Sequence, residues 1–129
     1  MKTETAPVRL ENYRAPDFVI ETVHLTFQLE AERTLVTARL ALRPRSDARD
    51  LTLVGDELRL VSVALDGAAL DPGRMAVTPQ ALTVRSVPRD PFTLEIVTEL
   101  HPAANTKLMG LYRSNGTWCT QCEPEGFRR

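Results

Sequence analysis

Val23-His24-Leu25-Thr26-Phe27-Gln28-Leu29-Glu30 alternates residue by residue: Val23, Leu25, Phe27 and Leu29 share one side, His24, Thr26, Gln28 and Glu30 the other. Successive side chains of an extended chain point to opposite faces, so a period of two marks a half-buried strand. The pattern begins at Phe18. After the short polar break Ala31-Glu32-Arg33 it resumes from Thr34 to Leu42, with Val36, Ala38, Leu40 and Leu42 on one face. So short a break predicts an antiparallel pair. Further on, the segment from Pro44 to Asp50 reads as a loop, and Leu51-Thr52-Leu53-Val54 as a brief strand stopped by Gly55-Asp56. Leu58 to Leu65 is partly apolar on both faces and predicts a central strand. Asp66-Gly67 is a hairpin signal, because glycine accepts positive φ, and Asp71-Pro72-Gly73 is a second turn. Met75-Ala76-Val77, Leu82-Thr83-Val84 and the alternating run Phe92 to Leu100 predict three more strands. Leu111-Tyr112-Arg113, Asn115-Gly116 and Thr117-Trp118-Cys119-Thr120 read as strand, turn, strand.

No long segment repeats apolar residues at helical spacing, and nine prolines spread along the chain would break most candidate helices. The expected fold is all-β: an antiparallel β-sandwich or saddle-like sheet, a single domain with little helix. Pro7 and Pro16 bracket a predicted N-terminal arm over residues 1–16, and residues 17–129 make the β domain.

The 129 residues suit one domain, and 43% hydrophobic with 26% charged residues is the balance of a soluble globular chain. No apolar run approaches the roughly 20 residues of a membrane-spanning helix. The polar start Met1-Lys2-Thr3-Glu4-Thr5-Ala6-Pro7 lacks the apolar centre of a secretion signal, which predicts a cytoplasmic protein. Sixteen Lys and Arg against seventeen Asp and Glu leave a net charge of −1. That balance removes the electrostatic reason to propose a nucleic-acid or membrane partner. Two cysteines exclude a disulfide-rich scaffold.

Cys119-Thr120-Gln121-Cys122 has C-x-x-C spacing. A redox pair or a zinc site needs its sulfurs to converge, and on a continuing strand positions 119 and 122 face opposite sides. His24 lies on a polar strand face and His101 precedes Pro102, so both read as solvated or hydrogen-bonded histidines. G-x-S-x-G, a glycine-rich phosphate loop and H-E-x-x-H are absent. No catalytic residue and no metal ligand is expected within the chain. Gln121, Glu123 and Glu125 alternate as the wet face of a strand would. The sequence then stops at Phe127-Arg128-Arg129 without a turn or cap, and reads as the edge of a cut piece.

At these residues the chain resembles a known family. Gly110-Leu111-Tyr112-Arg113-Ser114 and Cys119-Thr120-Gln121-Cys122-Glu123-Pro124-Glu125-Gly126-Phe127-Arg128 are similar to the N-terminal region of bacterial aminopeptidase N, the zinc-dependent alanyl aminopeptidase family. Tyr13-Arg14-Ala15-Pro16-Asp17-Phe18, Val23 to Leu29 and Pro102 to Tyr112 agree in the same order. The resemblance implies a much longer parent that releases N-terminal amino acids from peptides. In that family a thermolysin-like domain holds zinc through H-E-x-x-H and a further Glu, and a G-x-M-E-N segment binds the substrate's amino end. None of the three lies in this chain, so zinc belongs to the full-length enzyme and not to this fragment, which should be inactive alone. The resemblance also implies that Gln121 and Glu123 line the first substrate pocket, with Glu123 on the free α-amino group; Glu125 has no such role. The partners it implies are a peptide with a free N-terminus and the intramolecular catalytic domain. An apolar surface over 108–127 is expected to face that domain and to drive self-association of the isolated chain. Two other classes stay open: a stand-alone β-sandwich binding module with no enzymatic parent, and a thiol redox protein using Cys119 and Cys122.

Overall fold

A computed structural model of the chain describes residues 7–123; residues 1–6 of the predicted arm and 124–129, with Glu125 and Phe127, lie outside them. The described residues are all-β. β1 (Phe18–Gln28) and β2 (Thr34–Pro44) are followed by β3 (Leu51–Val54), β4 (Arg59–Leu65), β5 (Ala68–Ala69), β6 (Met75–Thr78) and β7 (Ala81–Val84). β8 (Phe92–Leu100), β9 (Gly110–Ser114) and β10 (Thr117–Gln121) complete the order. Among the described residues helix is limited to 3-10 turns at Leu10–Asn12, Pro72–Arg74 and Pro102–Ala104.

Every strand pair is antiparallel. The main sheet has the order β1-β2-β8-β4-β5, a second has β3-β7-β6, and β9 with β10 forms a separate hairpin. The alternation from Val23 onward does pair with Thr34–Leu42, Val23 opposite Leu40 and Phe27 opposite Val36. β8 is the middle strand of the main sheet, and the predicted strand Leu58–Leu65, found as β4, is an interior strand next to it, with only the two residues of β5 beyond. A register shift between Leu60 and Ser62 leaves Val61 exposed, so the apolar residues on both sides of β4 do not mark burial on both sides.

Partners across an antiparallel ladder share a face. Leu42 with Phe92, Leu40 with Leu94 and Leu65, and Ile96 with Val63 therefore line one side of the main sheet. Leu51, Val84, Val87 and Leu70 close over them, and Phe18 meets Phe92 edge to face at 6.3 Å. This second layer covers only part of the apolar face. On edge strand β1 the same face carries Val23, Leu25 and Phe27, and all three remain about half exposed. The sequence shows that these side chains share a side; nothing in it shows that the side is uncovered. Of the predicted 108–127 surface, residues 124–127 lie outside the described ones; within the described part Leu108 is an exposed large apolar side chain.

The other face is held by ions. Arg39 pairs with Glu95 at 2.7 Å and Arg43 with Glu21 at 2.6 Å. Glu99, 7% exposed, takes Arg59 and Arg33, each at 2.6 Å. Hydrogen bonds from Arg59 and then Arg33 lower the Glu99 pKa from 4.5 to about 2. A carboxylate whose folded pKa is depressed stabilises the fold above its unfolded value, and that stability is lost as pH falls through the folded one. The urea midpoint of the chain should therefore fall between pH 4.5 and pH 2, and Glu99→Gln should flatten that fall. An equal fall in both proteins would remove Glu99 from the cause.

Candidate functional site

The Gln121–Glu123 stretch hangs on the β9–β10 hairpin. Its two-residue turn is Asn115-Gly116, with φ of 49° and 77°. Positive φ at both positions matches the right-handed twist of a tight hairpin, which is why asparagine and glycine stand there. Arg113 and Trp118 are paired in register, and the Arg113 guanidinium lies 4.8 Å from the Trp118 ring centre. Arg113 also donates to the Gly116 carbonyl at 2.6 Å, so one side chain braces both the ring and the turn.

The approach to the hairpin is fixed by Asn105, which the sequence reading did not single out. Its amide nitrogen donates to the carbonyls of Met109 and Leu111, at 2.8 and 3.0 Å, and its oxygen accepts from the Leu108 backbone at 3.2 Å. These bonds hold Leu108 at φ 56°, a left-handed conformation that costs a non-glycine residue roughly 1–2 kcal/mol. Beside it, Lys107 reaches Asp56 at 2.8 Å and Glu57 at 3.4 Å, and the hydrogen bond to Asp56 raises its pKa. The hairpin base is thereby tied to the connection between β3 and β4. A loop asparagine followed by lysine and glycine was the only sequence signal, and it does not name the acceptors.

At the exit, β10 ends at Gln121, which pairs with Gly110. Cys122 and Glu123 lie beyond the ladder, and Glu123 is exposed in a turn. Gln121 and Glu123 are close because the Gln121 side chain accepts from the Glu123 backbone at 3.2 Å. The desolvated pocket expected around the carboxylate is not formed by the described residues. Cys119 sits within β10 and Cys122 after it; both thiols are free and partly exposed. The opposite-faces argument thus applies to Cys119 alone, since the strand does not continue to Cys122. His24 is exposed on the polar face of β1. His101 is hydrogen-bonded through Nδ1 to the Glu32 carbonyl, and its Nε2 lies 3.5 Å from Glu99.

Among the described residues no group of three or more His, Cys, Asp or Glu side chains is placed to hold a metal ion. A zinc ion does not fit the donors of the described residues.

No family model matches the chain. It is 45% identical to aminopeptidase N of Caulobacter vibrioides over 99% of its own length and 15% of that relative's. It is 44% identical to aminopeptidase N of Escherichia coli over 91% of the chain and 13% of the relative. Among solved structures, Legionella pneumophila aminopeptidase A in complex with aspartic acid superposes with a TM-score of 0.84 at 30% identity, covering 95% of this chain and 15% of that one. The chain therefore spans about 15% of the length of such relatives. Sequence and fold comparisons agree on one likeness: over nearly its whole length the chain resembles an N-terminal domain of bacterial aminopeptidase N.

Proposed function

We propose that the chain is the non-catalytic front domain of a zinc aminopeptidase, and that it completes the substrate pocket from one side. The observation that carries this is the exposed carboxylate of Glu123, held just past the end of a hairpin braced at its turn and tied at its base. An enzyme that removes residues from the amino end must select peptides with a free ammonium. A carboxylate does so through a charge-assisted hydrogen bond, roughly 1.5–3 kcal/mol net once water is excluded. The substrate amine, with a reference pKa near 8, is then protonated at neutral pH.

The water-excluding walls and the zinc come, in this reading, from the rest of the longer polypeptide. Zinc, held there by residues outside this chain, would supply Lewis-acid chemistry; this chain supplies a fixed acceptor. The direct test is an assay of amino-acid release from a peptide. The complete protein should turn over and lose activity on chelation, while the 129-residue chain alone should give none. Turnover by the chain alone overturns the reading.

The uncovered row Val23, Leu25 and Phe27 has a place in the same proposal, as a surface met by the remaining polypeptide. When the chain is alone, two copies bury the row against each other, since identical patches favour a two-fold pair. Sedimentation velocity should show a dimer that Leu25→Lys dissociates. A wild-type chain that stays monomeric at high concentration removes this part.

A further inference from the structure

We infer that Gln121 is a positioning residue, whose side-chain carbonyl aims Glu123 and does not itself receive the substrate's ammonium. The inference rests on the proposed role of Glu123. Oε1 of Gln121 accepts two backbone N–H bonds, from Cys122 at 2.9 Å and from Glu123 at 3.2 Å. Both amides lie beyond the last ladder pair, Gln121 with Gly110, so strand pairing gives them no acceptor. Gln121 is rooted inside that ladder and half-buried. Its backbone is thus fixed by β9, and its free end grips the turn that follows.

The chemistry of the amide then divides the work. A carbonyl oxygen offers two lone pairs, and two N–H donors occupy both. What remains is the Nε2 group, which only donates. An ammonium also only donates. Of the pair, Glu123 alone keeps an open acceptor for it. Gln121 contributes by holding the backbone from which the carboxylate extends, and a displacement of about 1 Å at a reacting centre can cost about 100-fold in rate.

Two variants separate this role from a pocket contact. Gln121→Met keeps the length and removes the acceptor; Gln121→Glu keeps an oxygen in place for the same two amides. Amide hydrogen exchange at Cys122 and Glu123, measured by NMR on this chain and corrected for intrinsic rates, should be at least threefold faster in Gln121→Met and close to wild type in Gln121→Glu. In the complete protein Gln121→Met should lower kcat/KM on a peptide with a free amino end at least tenfold, and Gln121→Glu should restore most of it. Unchanged exchange in Gln121→Met overturns the inference whatever the activity does. Faster exchange with wild-type activity overturns it too. If instead Glu123→Ala leaves kcat/KM unchanged, the pocket reading fails by itself, and the exchange result still reports on the Gln121 bonds.

Discussion

Leu94→Ala is expected to lower the stability of the chain by about 2–5 kcal/mol, and Val23→Ala by less than about 1 kcal/mol. Both residues stand in one row across the main sheet: Val23 faces Leu40, Leu40 faces Leu94, and Leu94 faces Leu65. They share the apolar face and differ in what lies above it. Leu94 is 0% exposed under the second layer, whereas Val23 is 53% exposed on β1. Removing buried methyl groups loses transfer free energy and leaves a cavity in the buried core that Leu94 shares with Leu42, Val84 and Phe92. Removing those of Val23 surrenders about half a valine's apolar area and opens a surface water already reaches. Urea unfolding of the two variants decides the matter. Equal losses would mean that β1 is covered as well as β8, and the half-covered sheet would be wrong.

Alternation made the strands legible because it reports which side chains share a face. It does not report what lies on that face. The same period of two runs through β1 and β8, yet Phe92, Leu94 and Ile96 of β8 are buried and Val23, Leu25 and Phe27 of β1 are not. Turns were legible where a residue type answers a backbone demand: Asp66-Gly67 and Asn115-Gly116 all adopt positive φ. Leu108 adopts it as well, and no property of leucine announces it; its backbone N–H donates to the Asn105 side chain, which itself donates to the carbonyls of Met109 and Leu111. Glu99 reads as one more polar position on a strand, since its arginine partners are 40 and 66 residues away in sequence. The candidate site is legible only through family resemblance. Periodicity alone would place Gln121 and Glu123 on one wet strand face, and the strand ends between them.

In the complete protein, Glu123→Ala is expected to lower kcat/KM for peptides with a free amino end by roughly 10–150-fold, the kinetic equivalent of about 1.5–3 kcal/mol. The size of the loss is informative because two environments predict different numbers. On the described surface Glu123 is exposed, and an exposed ion pair contributes only about 0–1 kcal/mol, or less than about sixfold. A loss above tenfold therefore requires that the longer polypeptide take the carboxylate out of water. Glu123→Gln keeps an acceptor and removes the charge, so it should fall between wild type and Glu123→Ala. The wild-type advantage should also shrink above a pH of about 8, where the substrate amine loses its proton and gives up the charge that the carboxylate selects. Peptides lacking the amino group should be poor substrates for wild type and variant alike. A loss below about threefold, under about 0.7 kcal/mol, would leave the carboxylate no share in recognising the amino end, since it would not exceed what water and screening allow any surface pair.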